Sequence, residues 1–374
     1  MDFNLNETEQ AVSDLAMQIL GDKIDHERLK EIEANVDGGG DWFAADEWAL
    51  MADAGLIGIA LPETHGGGGL GIIEAGLVCE AVGRHVAPVP ALPTMLAAVT
   101  IAEYADDEVA ADLLPGVCDG SRILTVATAE HLREDLARPG VTAAADGALN
   151  GVKSVVEFVS QATHAIVNAL GPDGPGLYLV DPNGPGVTVE TGTSTRKETV
   201  HELTFGDAPA TLLASGVEAI RWFEARYLAL VCATQLGVVE GQLRLTAQYT
   251  SEREQFGRPI ATFQAVTQRL ADCFIQVEGL RLQTQSALWR IANGLDPWED
   301  LRIAKWFGSE GAHFVAHGAQ HMHGGIGVDV DYPLHRYTLW NKHLEVTLGA
   351  ASQQLRALGA TLAAAPATAT ATGV

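Results

Sequence analysis

The period of the apolar residues changes twice along this chain, and those two changes constrain its fold more than any other feature. From Glu7 to about Leu114 apolar residues recur every three or four positions, in Ala11 to Ile19, Trp48 to Leu56, Ile72 to Val82 and Thr94 to Tyr104, which predicts amphipathic helices. Near Ser121 the texture becomes short and β-branched: Ile123 to Val126, His164 to Asn168, Leu177 to Val180 and Val187 to Val189 read as strands, with Asp173-Gly174-Pro175-Gly176 as a turn. From about Gly216 to Leu358 long helical registers return, interrupted at Asn293-Gly294-Leu295-Asp296-Pro297. Gly359 is expected to close the last helix, because glycine tolerates a left-handed cap. The prediction is an α+β protein: a helical domain at 1–121, a β-domain at 122–214, a helical bundle at 215–360 and a frayed tail at 361–374.

Composition narrows the classes of function. A chain of 374 residues exceeds what one core usually organises, so several packed units are expected. It contains no run of eighteen apolar residues, and Met1 to Asn6 lack the character of a signal peptide, so no membrane span and a cytoplasmic location are expected. Cys79, Cys118, Cys232 and Cys273 are too scattered for a disulfide framework or a metal site. His313, His317, His321 and His323 have helix-compatible spacing, but no carboxylate or cysteine joins them in a metal motif. A net charge of −25 argues against nucleic acid, whose phosphates require clustered Lys and Arg. Any site for an anion must create local positive charge against that background.

Several segments stand out against this scaffold: Leu56 to Glu63 with His65 to Leu70 and Glu80 to Arg84, Leu149-Asn150-Gly151-Val152-Lys153, Arg253 to Gln264, His321 to Gly327, and Asp331 to Arg336. In this order, and across the succession of helices, strands and helices, the chain resembles the acyl-CoA dehydrogenase family. The resemblance implies that family's fold, with an N-terminal α-domain, a middle β-domain and a C-terminal four-helix bundle. It also implies FAD as cofactor, an acyl-CoA substrate, and electron-transfer flavoprotein or a similar electron acceptor. The chemistry suits such a cofactor. The planar guanidinium of Arg253 can pair with a pyrophosphate, Phe256 can pack on a ring, Gly324 and Gly325 admit an anion close to backbone amides, and His321 or Gln264 can hydrogen-bond the adenosine half. The flavin-contacting set implied by the resemblance is Arg253, Gln255, Phe256, Gln264, His321, Gly324 and Gly325. In the family these residues reach across a subunit interface to an FAD lying mostly on a neighbour.

The same resemblance shows what is missing. Abstraction of an α-proton from an acyl thioester needs a positioned carboxylate. In most family members it lies 24 residues after the first glycine of the Gly-Gly pair, where this chain has Leu348. In the isovaleryl-type branch it lies 26 residues before the flavin-motif arginine, where this chain has Tyr227, with Gly237 supporting the alignment. Leu228 replaces a common arginine. Thr128 to Gly140 lack the usual Thr-Glu-Pro and Gly-Ser-Asp pattern, and Ser154 to Phe158 replace a Trp-Ile-Thr-Asn run. The losses fall on the resident flavin and acyl-CoA surface, whereas the half that serves a neighbour remains. This pattern resembles the non-catalytic subunit of the α2β2 acyl-CoA dehydrogenases of sterol side-chain degradation. It implies a homologous catalytic partner that supplies the glutamate, no catalytic residue here, and a bulky acyl group such as a steroid side-chain CoA. Two alternatives stay open: a self-sufficient enzyme using Glu224, one helical turn before Tyr227, and a scaffold without flavin.

Overall fold

The computed structural model describes residues 3–364. Six helices come first: α1 (Glu7–Lys23), α2 (His26–Asp37), α3 (Ala45–Asp53), α4 (Ile72–Arg84), α5 (Ala91–Tyr104) and α6 (Asp107–Cys118). Their starts are encoded locally. Asn6 and Glu9 form a reciprocal capping box on α1, while Asp25 and Asp106 accept from the amides of Arg28 and Val109 at the starts of α2 and α6.

An eight-stranded sheet follows, with β1 (Ile123–Ala127), β2 (Thr142–Ala143), β3 (Leu149–Glu157), β4 (Ala162–Gly171), β5 (Gly174–Val180), β6 (Val187–Thr193), β7 (Thr199–Ala208) and β8 (Ala210–Ser215). Its main path runs β6-β7-β3-β2-β4-β5-β8, and β1 pairs in parallel with β4. Strand β1 is buried along its whole length because it lies against the helical layer, where Thr94 on α5 donates to the Leu124 carbonyl at 2.8 Å.

The chain then enters α7 (Val217–Glu252), a helix of 36 residues. A short hairpin of β9 (Glu254–Gln255) and β10 (Arg258–Pro259) leads to α8 (Gln264–Ala292), α9 (Trp298–Trp306) and α10 (Ala312–His323), then α11 (Leu334–Val346) and α12 (Ala351–Ala364). A π-helical turn at Phe307–Gly311 joins α9 to α10. The α8–α9 break falls at the expected 293–297 segment. Gly359 does not end the last helix: α12 continues to Ala364, with Gly359 in open space and outside the left-handed region. A glycine weakens a helix but stops it only by adopting a cap conformation, which nothing here requires. The expected frayed tail therefore begins within a helix at 361–364, and its remainder, 365–374, lies outside the described residues.

Helices α4 and α7 cross at backbone contact. A Cβ added at Gly83 would lie 1.9 Å from the Thr234 carbonyl oxygen, and one at Gly237 would lie 1.9 Å from that of Glu80. Around the crossing, Arg281 on α8 bonds Glu80 on α4 at 3.1 Å and Glu240 on α7 at 2.8 Å, and Arg84 reaches Glu240 at 2.8 Å. Farther out, Arg336 on α11 makes a buried bidentate pair with Glu33 on α2, at 2.6 and 2.7 Å. This places the Asp331 to Arg336 segment in a tether between α2 and α11. We expect Gly237→Ala to lower stability by about 3 kcal/mol through overpacking, whereas Gly359→Ala should raise it by about 0.5–1 kcal/mol. Denaturation midpoints of the two variants test both signs.

Candidate functional site

The seven residues singled out above lie at or beyond the ends of helices in the bundle, and all are exposed. Arg253 caps the C-terminus of α7 in an extended conformation, its amide donating to the Tyr249 carbonyl at 2.8 Å. The hairpin pairs Gln255 with Arg258, leaving Phe256 and Gly257 at the turn with φ of 54° and 76°. Such a two-residue turn needs left-handed backbone at both positions, which glycine meets freely and phenylalanine does not. Phe256 is nevertheless 93 % exposed, touching only the edge of Phe263 at a centroid distance of 6.2 Å. A large aromatic is thus held in strained backbone and presented to solvent.

Arg253 stands out among the cations. Among the described residues, every other arginine is tied to a carboxylate or an aromatic face. Arg253 has neither, in a protein with 48 acidic residues against 23 Lys and Arg. Gln264 opens α8. His321 lies in the last turn of α10, and Gly324 caps that helix at φ 64°, ψ −137°, a region suited to glycine. A Cβ added at Gly324 or Gly325 would meet nothing, so the turn faces open space. An unpaired guanidinium, an exposed ring and an open glycine turn fit an anionic, ring-bearing group approaching from outside.

The two segments are joined through Tyr249, a residue that the motifs did not include. Tyr249, one turn before Arg253, stacks on His323 at 4.3 Å, and His323 in turn contacts the Tyr332 hydroxyl at 3.1 Å. The signal in the sequence was only a tyrosine four residues before an arginine, which many helices contain.

Tyr227 and Leu348 converge on a second feature, a cleft of about 280 Å³ bounded by α5, β1, β3, α7 and the α11–α12 turn. Leu348 is apolar. The Tyr227 hydroxyl is kept protonated because burial, reinforced by the carboxylate of Glu157, raises its pKa. Thr128, Ala129 and Glu130 form one wall, with the Glu130 carboxylate drawn toward the fully buried Lys153 at 2.6 Å. Burial lowers the Lys153 pKa to about 8, with Glu130 opposing the shift.

Glu157 and His343, which line the cleft, also belong to a buried ionic cluster around a small neighbouring cavity of about 40 Å³. Arg196, from the β6–β7 turn, bonds Glu157 at 2.5 Å and Glu198 at 2.6 Å and lies over Trp340 at 4.7 Å. His343 bonds Glu157 at 3.0 Å. Glu157, Glu198 and His343 could by spacing hold a metal ion, but the Arg196 guanidinium already supplies the cation between the two carboxylates. Burial opposes charge on both acids, with opposite outcomes. Arg196 and His343 overcome burial at Glu157 and hold its pKa below the ordinary range, whereas at Glu198 burial prevails, Glu157 adds repulsion, and the pKa rises.

Glu224 is directed elsewhere. It pairs with Arg302 at 3.3 Å, is not among the residues lining the cleft, and burial raises its pKa. Arg302 is itself held by Gln354 at 2.9 Å and by the face of Trp298.

These features place the chain in a class of multidomain flavin-type dehydrogenase folds, with a helical layer, a β-domain and a bundle around α7. The acyl-CoA dehydrogenase N-terminal domain matches residues 6–121 and the C-terminal domain matches residues 215–363. Acyl-CoA dehydrogenase FadE27 of Mycobacterium tuberculosis is 36% identical, with 98% of this chain and 100% of that protein covered. The Tcur3481-Tcur3483 steroid ACAD G363A variant superposes with a TM-score of 0.90 at 45% identity, covering 96% of this chain and 98% of that one. The ChsE4-ChsE5 complex from Mycobacterium tuberculosis gives a TM-score of 0.92 at 35% identity, covering 98% and 100%. The chain belongs to the acyl-CoA dehydrogenase family, and its α+β architecture is that family's fold. Among the described residues no helix is long and apolar enough to cross a membrane.

The cluster yields opposite expectations for its two acids. The contribution of Glu198 is complete below the ordinary carboxylate range and is lost as pH rises toward its raised folded pKa. The contribution of Glu157 is present above that range and is lost as pH falls through its lowered folded pKa. Glu198→Gln should therefore flatten the decline in stability from acid toward neutral pH. Glu157→Gln, which removes the carboxylate shared by Arg196 and His343, should cost about 3 kcal/mol at neutral pH. Thermal denaturation of both variants across this range checks the assignment.

Proposed function

We propose that this chain is one subunit of an FAD-dependent acyl-CoA dehydrogenase, contributing part of an FAD site while a homologous partner supplies the catalytic glutamate. The observation that carries this reading is the convergence of Tyr227 and Leu348. Elements far apart in sequence bring to one cleft the two positions where the family keeps its carboxylate. One is a protonated phenol and the other a hydrocarbon, so neither removes a proton from carbon at neutral pH. Glu157 and His343 on the cleft wall are also tied to Arg196 and to each other, which leaves them fewer free polar contacts for a resident flavin.

The exposed arm carries the remaining chemistry. Arg253 offers paired donors to a pyrophosphate, Gly324 and Gly325 admit its oxygens to the backbone, Phe256 and Gln255 present a ring and an amide at the hairpin, and His321 or Gln264 bonds the adenosine half. FAD, when bound, supplies the two-electron acceptor for α,β-dehydrogenation of an acyl-CoA thioester. The chain's own part is to bind and orient that cofactor on the partner's side of the interface. The two-subunit names of the structural relatives, and the steroid named for one of them, support a heteromeric assembly acting on a steroid side-chain or similarly bulky acyl-CoA; in our reading it holds two copies of each subunit. The self-sufficient reading requires Glu224, which is engaged by Arg302 away from the cleft.

Purified alone, the chain should hold no stoichiometric FAD and turn over no acyl-CoA. With its partner it should yield a yellow, active complex. Turnover by the chain alone, abolished in Glu224→Gln, would overturn the reading in favour of a self-sufficient enzyme, and a colourless complex would overturn it in favour of a scaffold. In the active complex, Arg253→Ala should weaken FAD binding by about 1.5–3 kcal/mol, the cost of losing a charge-assisted hydrogen bond, measured by ultrafiltration and visible absorbance.

A further inference from the structure

We infer that Gln320 and His323 are positioning residues that preset the Gly324–Gly325 turn for a phosphate group, although neither belongs to the cofactor-contacting set. The inference rests on the reading above that this turn serves a partner-held FAD.

Gln320 grips Gly324 twice. Its carbonyl accepts the Gly324 amide, and its side-chain Nε2 donates to the Gly324 carbonyl at 3.0 Å. A trans peptide is planar, so fixing the Gly324 carbonyl toward Gln320 turns the Gly325 N–H to the opposite side. That N–H is the donor an incoming anion needs. The arrangement also explains Gly327, where a Cβ would lie 2.7 Å from the Gln320 Nε2 and push the amide out of place.

His323, the residue before the turn, is itself held in place. It is 4 % exposed, too buried to meet a ligand at the surface. Its Nδ1 lies 2.9 Å from the Ala319 carbonyl, which can only accept, so Nδ1 carries the proton. Burial holds the ring neutral, leaving the Nε2 lone pair to accept from the Tyr332 hydroxyl at 3.1 Å. Stacked on Tyr249, the ring ties the turn to the helical turn that ends in Arg253. The guanidinium and the glycine amides are thus held in one relation to each other before any anion arrives.

The test uses the chain assembled with its partner. Gln320→Leu and His323→Leu should each weaken FAD binding at least tenfold, measured as the dissociation constant by ultrafiltration and visible absorbance. Assembly and melting temperature of the Gln320 variant should be unchanged, and turnover per bound flavin should return to the wild-type rate at saturating FAD. A purely structural role would not produce that split. If His323→Leu fails to assemble, Gln320→Leu at the half-buried helix end carries the test. FAD affinity within twofold of wild type in Gln320→Leu would overturn the inference. Arg253→Ala separates the two levels: loss of FAD there with none in Gln320→Leu defeats only the positioning role, whereas retention of FAD in Arg253→Ala defeats the shared-site reading itself.

Discussion

The crossing of α4 and α7 is the contact on which the rest of the structure depends. Where Gly83 and Gly237 let two backbones meet, no side chain fits between the helices, and the Arg281, Glu80, Glu240 and Arg84 network fastens the crossing against rotation. Helix α7 is thereby fixed as a rigid spine with a different functional surface at each end. From Tyr227 to Arg253 it rises about 39 Å at 1.5 Å per residue. One dinucleotide cannot span that distance, so the arm and the cleft of a single chain do not serve the same cofactor. The proposed sharing of a flavin between chains agrees with this helix length, independent of any lost side chain.

Electrostatics divides the molecule along the same line. An acidic protein with few cations commits several of its arginines to buried carboxylates, because an unpaired charge inside is far more costly than an unpaired charge in water. Arg196, Arg281 and Arg336 are committed in this way. Arg253 remains uncommitted at the end of α7, where the acidic surroundings would be expected to capture it. The hairpin prevents this by carrying the chain away from the helix, with Glu254 and Gln255 paired to β10 instead of folding back on the guanidinium. The result is a small basic feature that survives in a field of negative charge, as an anion site in such a protein requires.

Much of this was legible in the sequence, and the exceptions have physical reasons. The two period changes located the helical and β segments because burial of one face enforces periodicity. The turn at Gly324 was legible because its backbone geometry suits glycine and few other residues. Gly359 misled because glycine marks a helix end only when tertiary context asks for a left-handed residue there. The Arg196 cluster was not legible: Arg196 and Glu198 lie in an ordinary turn sequence, and only the sheet brings them against Glu157 and His343 from distant parts of the chain. The Tyr249–His323 stack was hidden for the same reason, since contacts between α7 and α10 carry no local signature.

The cluster also bears on how a site is lost. Glu157 and His343 on the cleft wall are tied to a guanidinium that lies between two carboxylates and over an indole, while the cleft itself keeps about 280 Å³ of open space. Removing any one member exposes a buried charge, so each protects the others against replacement. Placing a glutamate at Leu348 would add a further carboxylate to a cleft whose walls already carry Glu130, Glu134 and Glu157, and mutual repulsion would favour its protonated, non-basic form. Under the proposed shared-site reading, the arm at the far end of α7, and not this cleft, is the surface through which the chain meets a cofactor.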